Sequence, residues 1–193
     1  MNIAIFVSGS GTNCENIIRH FAGDDSVDVC LVVSSRADAY ALVRASALGV
    51  PSVVVSRSEL NDETLMLSLL DSYGVDFIVL AGFMLMVPRF LTARYPQRIV
   101  NIHPSLLPKF GGRGMYGHHV HEAVKAAGET QSGITIHYVD DVCDGGAVIA
   151  QFFTPVAASD TAADIERRVR ALELRYYPMV IEAVVKAVGS ADS

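Results

Sequence analysis

The sequence predicts an α/β protein: a three-layer sandwich with a mostly parallel sheet and an antiparallel C-terminal strand. Three observations predict it. Short apolar, β-branched runs alternate with helical patterns through the first hundred residues, as parallel strands covered on both faces require. A glycine-rich turn follows the first run, a Rossmann-like placement. Near the end, two strand patterns are joined by a short polar connector, and so close a pair folds back antiparallel.

The elements follow in order. "NIAIFV" (2–7) is the first strand, "SGSGTN" (8–13) the turn and "CENIIRHFAG" (14–23) the first helix. "VDVCLVVSS" (27–35) is a strand, and "ADAYALVRASALG" (37–49) a helix that Gly49 ends. "SVVVS" (52–56) is a short strand; "NDETLMLSLLDSYG" (61–74) is a helix with Asn61 as its N-cap. "DFIVLAG" (76–82) and "RIVNIH" (98–103) are strands, and "GHHVHEAVKAAG" (117–128) is a helix closed by Gly128. "GITIHYV" (133–139) and "AVIAQFF" (147–153) flank the connector "DDVCDGG" (140–146). From Thr161 to about Val188 one amphipathic pattern predicts a long helix, kinked or broken at Pro178, and the tail "GSADS" is expected to fray.

A chain of 193 residues suits one domain, and no linker or repeat divides it. A net charge of −6 argues against a broad nucleic-acid surface but leaves room for a local cationic pocket. Cys14, Cys30 and Cys143 are odd in number and lack C-x-x-C spacing, which predicts free thiols and a reducing, cytoplasmic setting. No run reaches the roughly 18 apolar residues of a membrane span, and the start reads as a strand rather than a signal peptide.

Two features point to chemistry. In "SGSGTN" the glycines let backbone N–H groups approach a ligand at a helix N-terminus, where a phosphate is favoured. A carboxylate at Gly11 is then expected to weaken phosphate binding. The second feature is "NIHPSLLP". Asn101 and His103 are two apart, so they share one strand face, at the carboxyl end where open α/β sheets bind ligands. An amide can hold a carbonyl oxygen, and an imidazole can donate a proton or stabilise an oxyanion. Asp144, between the last two strands, is the candidate third group. The plainer alternative makes His103 a strand-end histidine and Asp144 a turn residue. His118, His119 and His121 lack a second ligand pair at zinc spacing and are read as surface or loop-anchoring, and His137 as structural.

"SGSGTN", "VVSSRADAYAL", "VLAGFM", "NIHPSLLPKF" and "GITIHYVDDVCDGGAVIAQ" together resemble the folate-dependent formyltransferases, over nearly the whole chain. The resemblance implies the formyltransferase fold and transfer of a formyl group from 10-formyltetrahydrofolate to the amine of glycinamide ribonucleotide in purine synthesis. By position it makes Asn101, His103 and Asp144 catalytic. It gives Gly11, Thr12 and Asn13 to the nucleotide's phosphate, and Glu173, with Arg170 one turn before it, to the glycinamide end. Met84, Leu85, Met86 and Val87 fall on the segment that holds the folate's pterin ring, and Asp140 to Asp144 on the loop closing its other side. It implies no metal.

Two departures stand out: Leu85 occupies a position often held by arginine in relatives, and "GGRGMYGHHVH" is longer and richer in glycine than the common pattern. Arg57 is the candidate for an arginine that meets the folate. Residues 1–100 are expected to serve the nucleotide phosphate and 101–193 catalysis and the folate. The alternatives are a formyltetrahydrofolate deformylase and a non-catalytic nucleotide-binding module. Monomer and homodimer stay equally open.

Overall fold

The computed structural model describes residues 1–191. One seven-stranded sheet forms from β1 (Asn2–Val7), β2 (Asp28–Ser34), β3 (Ser52–Val54), β4 (Phe77–Leu80), β5 (Ile99–His103), β6 (Gln131–Tyr138) and β7 (Val148–Pro155), in the order β3-β2-β1-β4-β5-β6-β7. The first five run parallel, β6 pairs antiparallel with β5, and β7 antiparallel with β6. The helices are α1 (Thr12–Phe21), α2 (Tyr40–Ala47), α3 (Arg57–Leu60), α4 (Glu63–Ser72), α5 (Arg89–Arg94), α6 (His118–Ala126) and α7 (Ala162–Ala191).

The period-2 alternation of β1 divides the core. Ile3, Ile5 and Val7 face one layer, built by Ile17 and Phe21 of α1, Ala41 and Ala45 of α2, Val124 of α6 and Ile165, Val169 and Ile181 of α7. Ala4 and Phe6 face the other, built by Leu60, Met66, Leu70 and Leu91. Both faces of the parallel strands are therefore buried, which is why their sequences are apolar throughout rather than alternating.

Strand order reverses between β1 and β4, so the loops leaving them diverge and open a crevice at the carboxyl edge. The Ser8 hydroxyl spans it, accepting from Met84 N at 2.9 Å and lying 2.6 Å from the Ser35 hydroxyl.

Three local features differ from expectation. Asn61 does not cap the helix at 63. Asp62 does, its carboxylate accepting from Leu65 N at 3.0 Å, because Asn61 already ends the short helix α3. That helix carries a capping box, Ser56 with Glu59, whose S-x-x-E signature lay in the sequence. The third concerns Pro178: of the kink or break expected there, the break does not occur, because α7 runs on through the proline. Proline lacks the N–H that would bond Leu174 O one turn back. The Asn16 side chain of α1 supplies that donor instead, at 2.6 Å. Gly189 and Ser190 belong to α7 as well, while Asp192 and Ser193 lie outside the described residues.

Candidate active site

The loops after β1, β4 and β5, the 140–146 connector and one face of α7 enclose a cleft of about 760 Å³. Of the residues singled out from the sequence, it is lined by Gly11, Thr12, Asn13, Met84, Leu85, Met86, Val87, Asn101, His103, Asp140, Asp144, Arg170 and Glu173, but not by Asp141, His118 or His119.

The end formed by the first turn is rigidly built. Gly11 is the N-cap of α1 at φ 74, and no side chain caps the helix, so the N–H groups of its first turn are left for a ligand or solvent. Arg44 braces the turn, donating to Ser10 O at 2.9 Å and pairing with Glu15. A Cβ at Gly11 would lie 2.5 Å from Ala41, and the left-handed backbone disfavours any side chain there. A carboxylate at Gly11 therefore disturbs α1–α2 packing before it meets a phosphate, which corrects the sequence-based test.

Glu173 closes this end. Asn13 Nδ2 donates to its Oε2 at 2.9 Å, and burial raises its pKa above the ordinary carboxylate value. Asn13 Oδ1 is buried without a partner. Glu166, Arg170 and Glu173 recur at i, i+4 and i+7, which sets one face of α7 as a polar wall.

At the other end, Asn101 and His103 leave β5 and meet Asp144. His103 is buried, with Nε2 2.7 Å from Phe110 O. A carbonyl only accepts, so Nε2 carries hydrogen. Nδ1 lies 3.5 Å from Asp144 Oδ2, which also accepts from Gly112 N at 2.8 Å. Asp144 stands at φ 56, in the left-handed region that tolerates aspartate.

Asn101 is held by a residue that the sequence reading made merely structural. His137 Nδ1 is 2.8 Å from Tyr138 O, so it donates there, and Nε2 is left to accept from Asn101 Nδ2 at 3.2 Å. Burial lowers the His137 pKa and favours this neutral form. The register pairs Asn101 directly with His137 across β5 and β6, so only knowledge of strand pairing could have joined them.

Met84 and Met86 are half exposed on the rim, an apolar surface suited to a flat ring. Arg57, Arg113, His121 and Glu166 also line the cleft. His118 and His119 are exposed and pair with Glu166 and Glu122, as surface histidines do. His121 differs from expectation: it is buried, its pKa is lowered by desolvation, and its Nδ1 has no partner. Among the described residues, no group of three or more His, Cys, Asp or Glu could hold a metal ion.

A glycine-rich turn at a helix N-terminus, an Asn–His–Asp set and an apolar rim share one cleft at the switch point of a doubly wound sheet, where ligands of such folds bind. The formyl transferase family model matches residues 1–181, and the chain belongs to that family. It is 38% identical over 186 residues to the phosphoribosylglycinamide formyltransferase of Haemophilus influenzae, covering 93% of this chain and 85% of the relative. The chloroplastic phosphoribosylglycinamide formyltransferase of Arabidopsis thaliana is also 38% identical, over 94% of this chain and 64% of its own length. The crystal structure of phosphoribosylglycinamide formyltransferase from Anaplasma phagocytophilum superposes with a TM-score of 0.87 at 34% identity, covering 97% of this chain and 88% of that one.

Proposed function

We propose that the chain transfers the formyl group of 10-formyltetrahydrofolate to the amine of glycinamide ribonucleotide, giving formylglycinamide ribonucleotide and tetrahydrofolate in purine synthesis. One observation carries the reading: in a formyl transferase that resembles phosphoribosylglycinamide formyltransferases along nearly its whole length, Asn101, His103 and Asp144 converge on one cleft beside the Gly11–Asn13 turn.

The residues divide the work as follows. The nucleotide's phosphate takes the N–H groups at Gly11, Thr12 and Asn13, with Arg170 contributing charge. Glu173 holds the glycinamide end. The pterin lies between Met84–Val87 and the 140–144 loop. The neutral amine attacks the formyl carbon, and the carbonyl oxygen becomes an oxyanion. Asn101 donates to it through the amide hydrogen that His137 does not use. His103 has spent Nε2–H on Phe110 O, so Nδ1, 3.5 Å from Asp144, is the nitrogen that serves the oxyanion. Asp144, beside that nitrogen, moves the amine's proton to the departing folate nitrogen, directly or through water. The carbon–nitrogen bond to the folate then breaks.

Residues 1–100 contribute mainly to the phosphate side and 101–193 to catalysis and the folate, with Met84–Val87 and Arg170–Glu173 reaching across. No helix among the described residues is long and apolar enough to cross a membrane. The three free cysteines fit a cytoplasmic location.

The test follows consumption of 10-formyltetrahydrofolate with and without glycinamide ribonucleotide. Turnover that needs the amine is expected; full-rate turnover without it would make the chain a deformylase. His103→Ala should lower the rate by several orders of magnitude while ligand binding persists. An unchanged rate would leave a binding module.

A further inference from the structure

Most arginines of this chain are neutralised: Arg19 pairs with Glu15, Arg36 with Asp38, Arg168 with Asp160. Arg57, Arg113 and Arg170 line the cleft and, among the described residues, pair with no carboxylate. Arg170 is accounted for, because it shares α7 with Glu173 and so faces the nucleotide end. Arg113 is not.

We propose that Arg113 binds the carboxylates of the folate's glutamyl tail. The inference rests on the formyl-transfer reading and adds a residue to it. The residue before Arg113 fixes its place: Gly112 N–H is bound to Asp144 Oδ2 at 2.8 Å, so Arg113 starts within one peptide of the 140–144 loop, on the folate side. The side chain is exposed, at the mouth of the cleft, where a flexible tail would leave once the ring is seated inside.

Arg113 places a cation at this mouth, in addition to Arg57 elsewhere in the cleft. Asp140 and Asp144 line the same side, and the facing segment, Met84 to Val87, carries no charge. Arg113 offsets the repulsion that these two carboxylates would exert on a dianionic tail. A guanidinium offers a planar fork matched to a carboxylate. Gly112 at φ 89 and Gly114 at φ 87 bracket Arg113, and a Cβ at either would touch nothing. Glycine is thus needed there for backbone handedness rather than for space.

The test compares wild-type enzyme with Arg113→Gln. Wild-type turnover that depends on glycinamide ribonucleotide checks the formyl-transfer reading separately, so a failure there is not charged to Arg113. The KM for 10-formyltetrahydrofolate is expected to rise about tenfold in the variant, with the KM for the nucleotide moving less than about twofold. The difference should vanish with the primary amide of 10-formyltetrahydropteroate, which lacks the glutamyl group and carries no carboxylate. Arg113→Lys, which keeps the charge but not the fork, should fall between. A rise confined to the nucleotide KM would assign Arg113 to the phosphate instead. A penalty that persists with the tail-less cosubstrate, or no change in either KM, would overturn the proposal as well.

Discussion

His137 illustrates how much one buried side chain controls without touching a substrate. It fixes the direction of the Asn101 amide through Nε2, and it can do so only while neutral. His137→Leu removes the acceptor and lets the amide rotate. The expected result is a fall in kcat of about 10- to 100-fold, the scale of a small misplacement, with little change in either KM. An equal loss in both KM values would mean that the histidine supports the cleft as a whole. Glu173 offers the opposite experiment. Ionising a carboxylate that burial has pushed upward costs stability near neutral pH. Glu173→Gln keeps an acceptor for Asn13 and removes that charge. It should raise Tm while raising the nucleotide KM about tenfold, because a charge-assisted hydrogen bond is lost. A variant that is both more stable and equally tight would remove Glu173 from the binding set.

At the scale of elements, α7 and α1 form one unit. The carbonyl that Pro178 strands at Leu174 is met by Asn16 from α1, and the Asn13–Glu173 pair sits between the same two helices. Asn16→Ala should cost about 1 kcal/mol, the usual worth of a hydrogen bond whose acceptor is left wanting. The loss should shrink in a Pro178→Ala background, where residue 178 regains an N–H for Leu174 O. A double-mutant cycle by thermal unfolding checks the coupling, and additive effects would show that the two residues do not share that carbonyl.

The turn proposed to hold the phosphate also needs a different probe from the one its sequence suggests. Gly11→Ala should destabilise by about 1–3 kcal/mol through overlap with Ala41. Gly9 has open space around a built Cβ, so Gly9→Asp puts the carboxylate in the cleft without that damage and reports on the phosphate through the nucleotide KM. This contrast marks where the sequence stopped being legible. Strands, long helices and the antiparallel hairpin were readable because hydrophobic period and turn residues are local signals. So was the place of Asn101, His103 and Gly11–Asn13 in the cleft, each at the end of a local strand. The His137–Asn101 bond, the burial of His121 and the Gly11–Ala41 contact depend on which segments the sheet brings together, and no local pattern carries that. Helices α3 and α5 were missed for another reason: at 4 and 6 residues they are too short for helical periodicity to show.

For the molecule as a whole, the groups that the cleft buries set how stability responds to acid. His121 and His137 both have pKa values lowered by burial, so the folded state stays unprotonated where the unfolded chain, with histidine near 6.5, does not. For groups shifted this way the stabilisation is complete above the unfolded value and is lost as pH falls below it toward the folded one. His118 has the reverse sign, raised by Glu166, but both partners are exposed and the effect is largely screened by solvent. Glu173 also opposes the histidines. Its raised pKa means the fold takes up a proton that the unfolded chain, near 4.5, still lacks, which adds stability as pH falls. The expected outcome is a Tm that declines as pH is lowered from 7.5 to about 5.5. The slope should become steeper in Glu173→Gln, where the opposing carboxylate is gone, and shallower in His121→Gln, where one titrating imidazole is gone. Histidines that were accessible and unshifted would give the same slope in wild type and His121→Gln, and the buried imidazoles would then not be the source of the acid response.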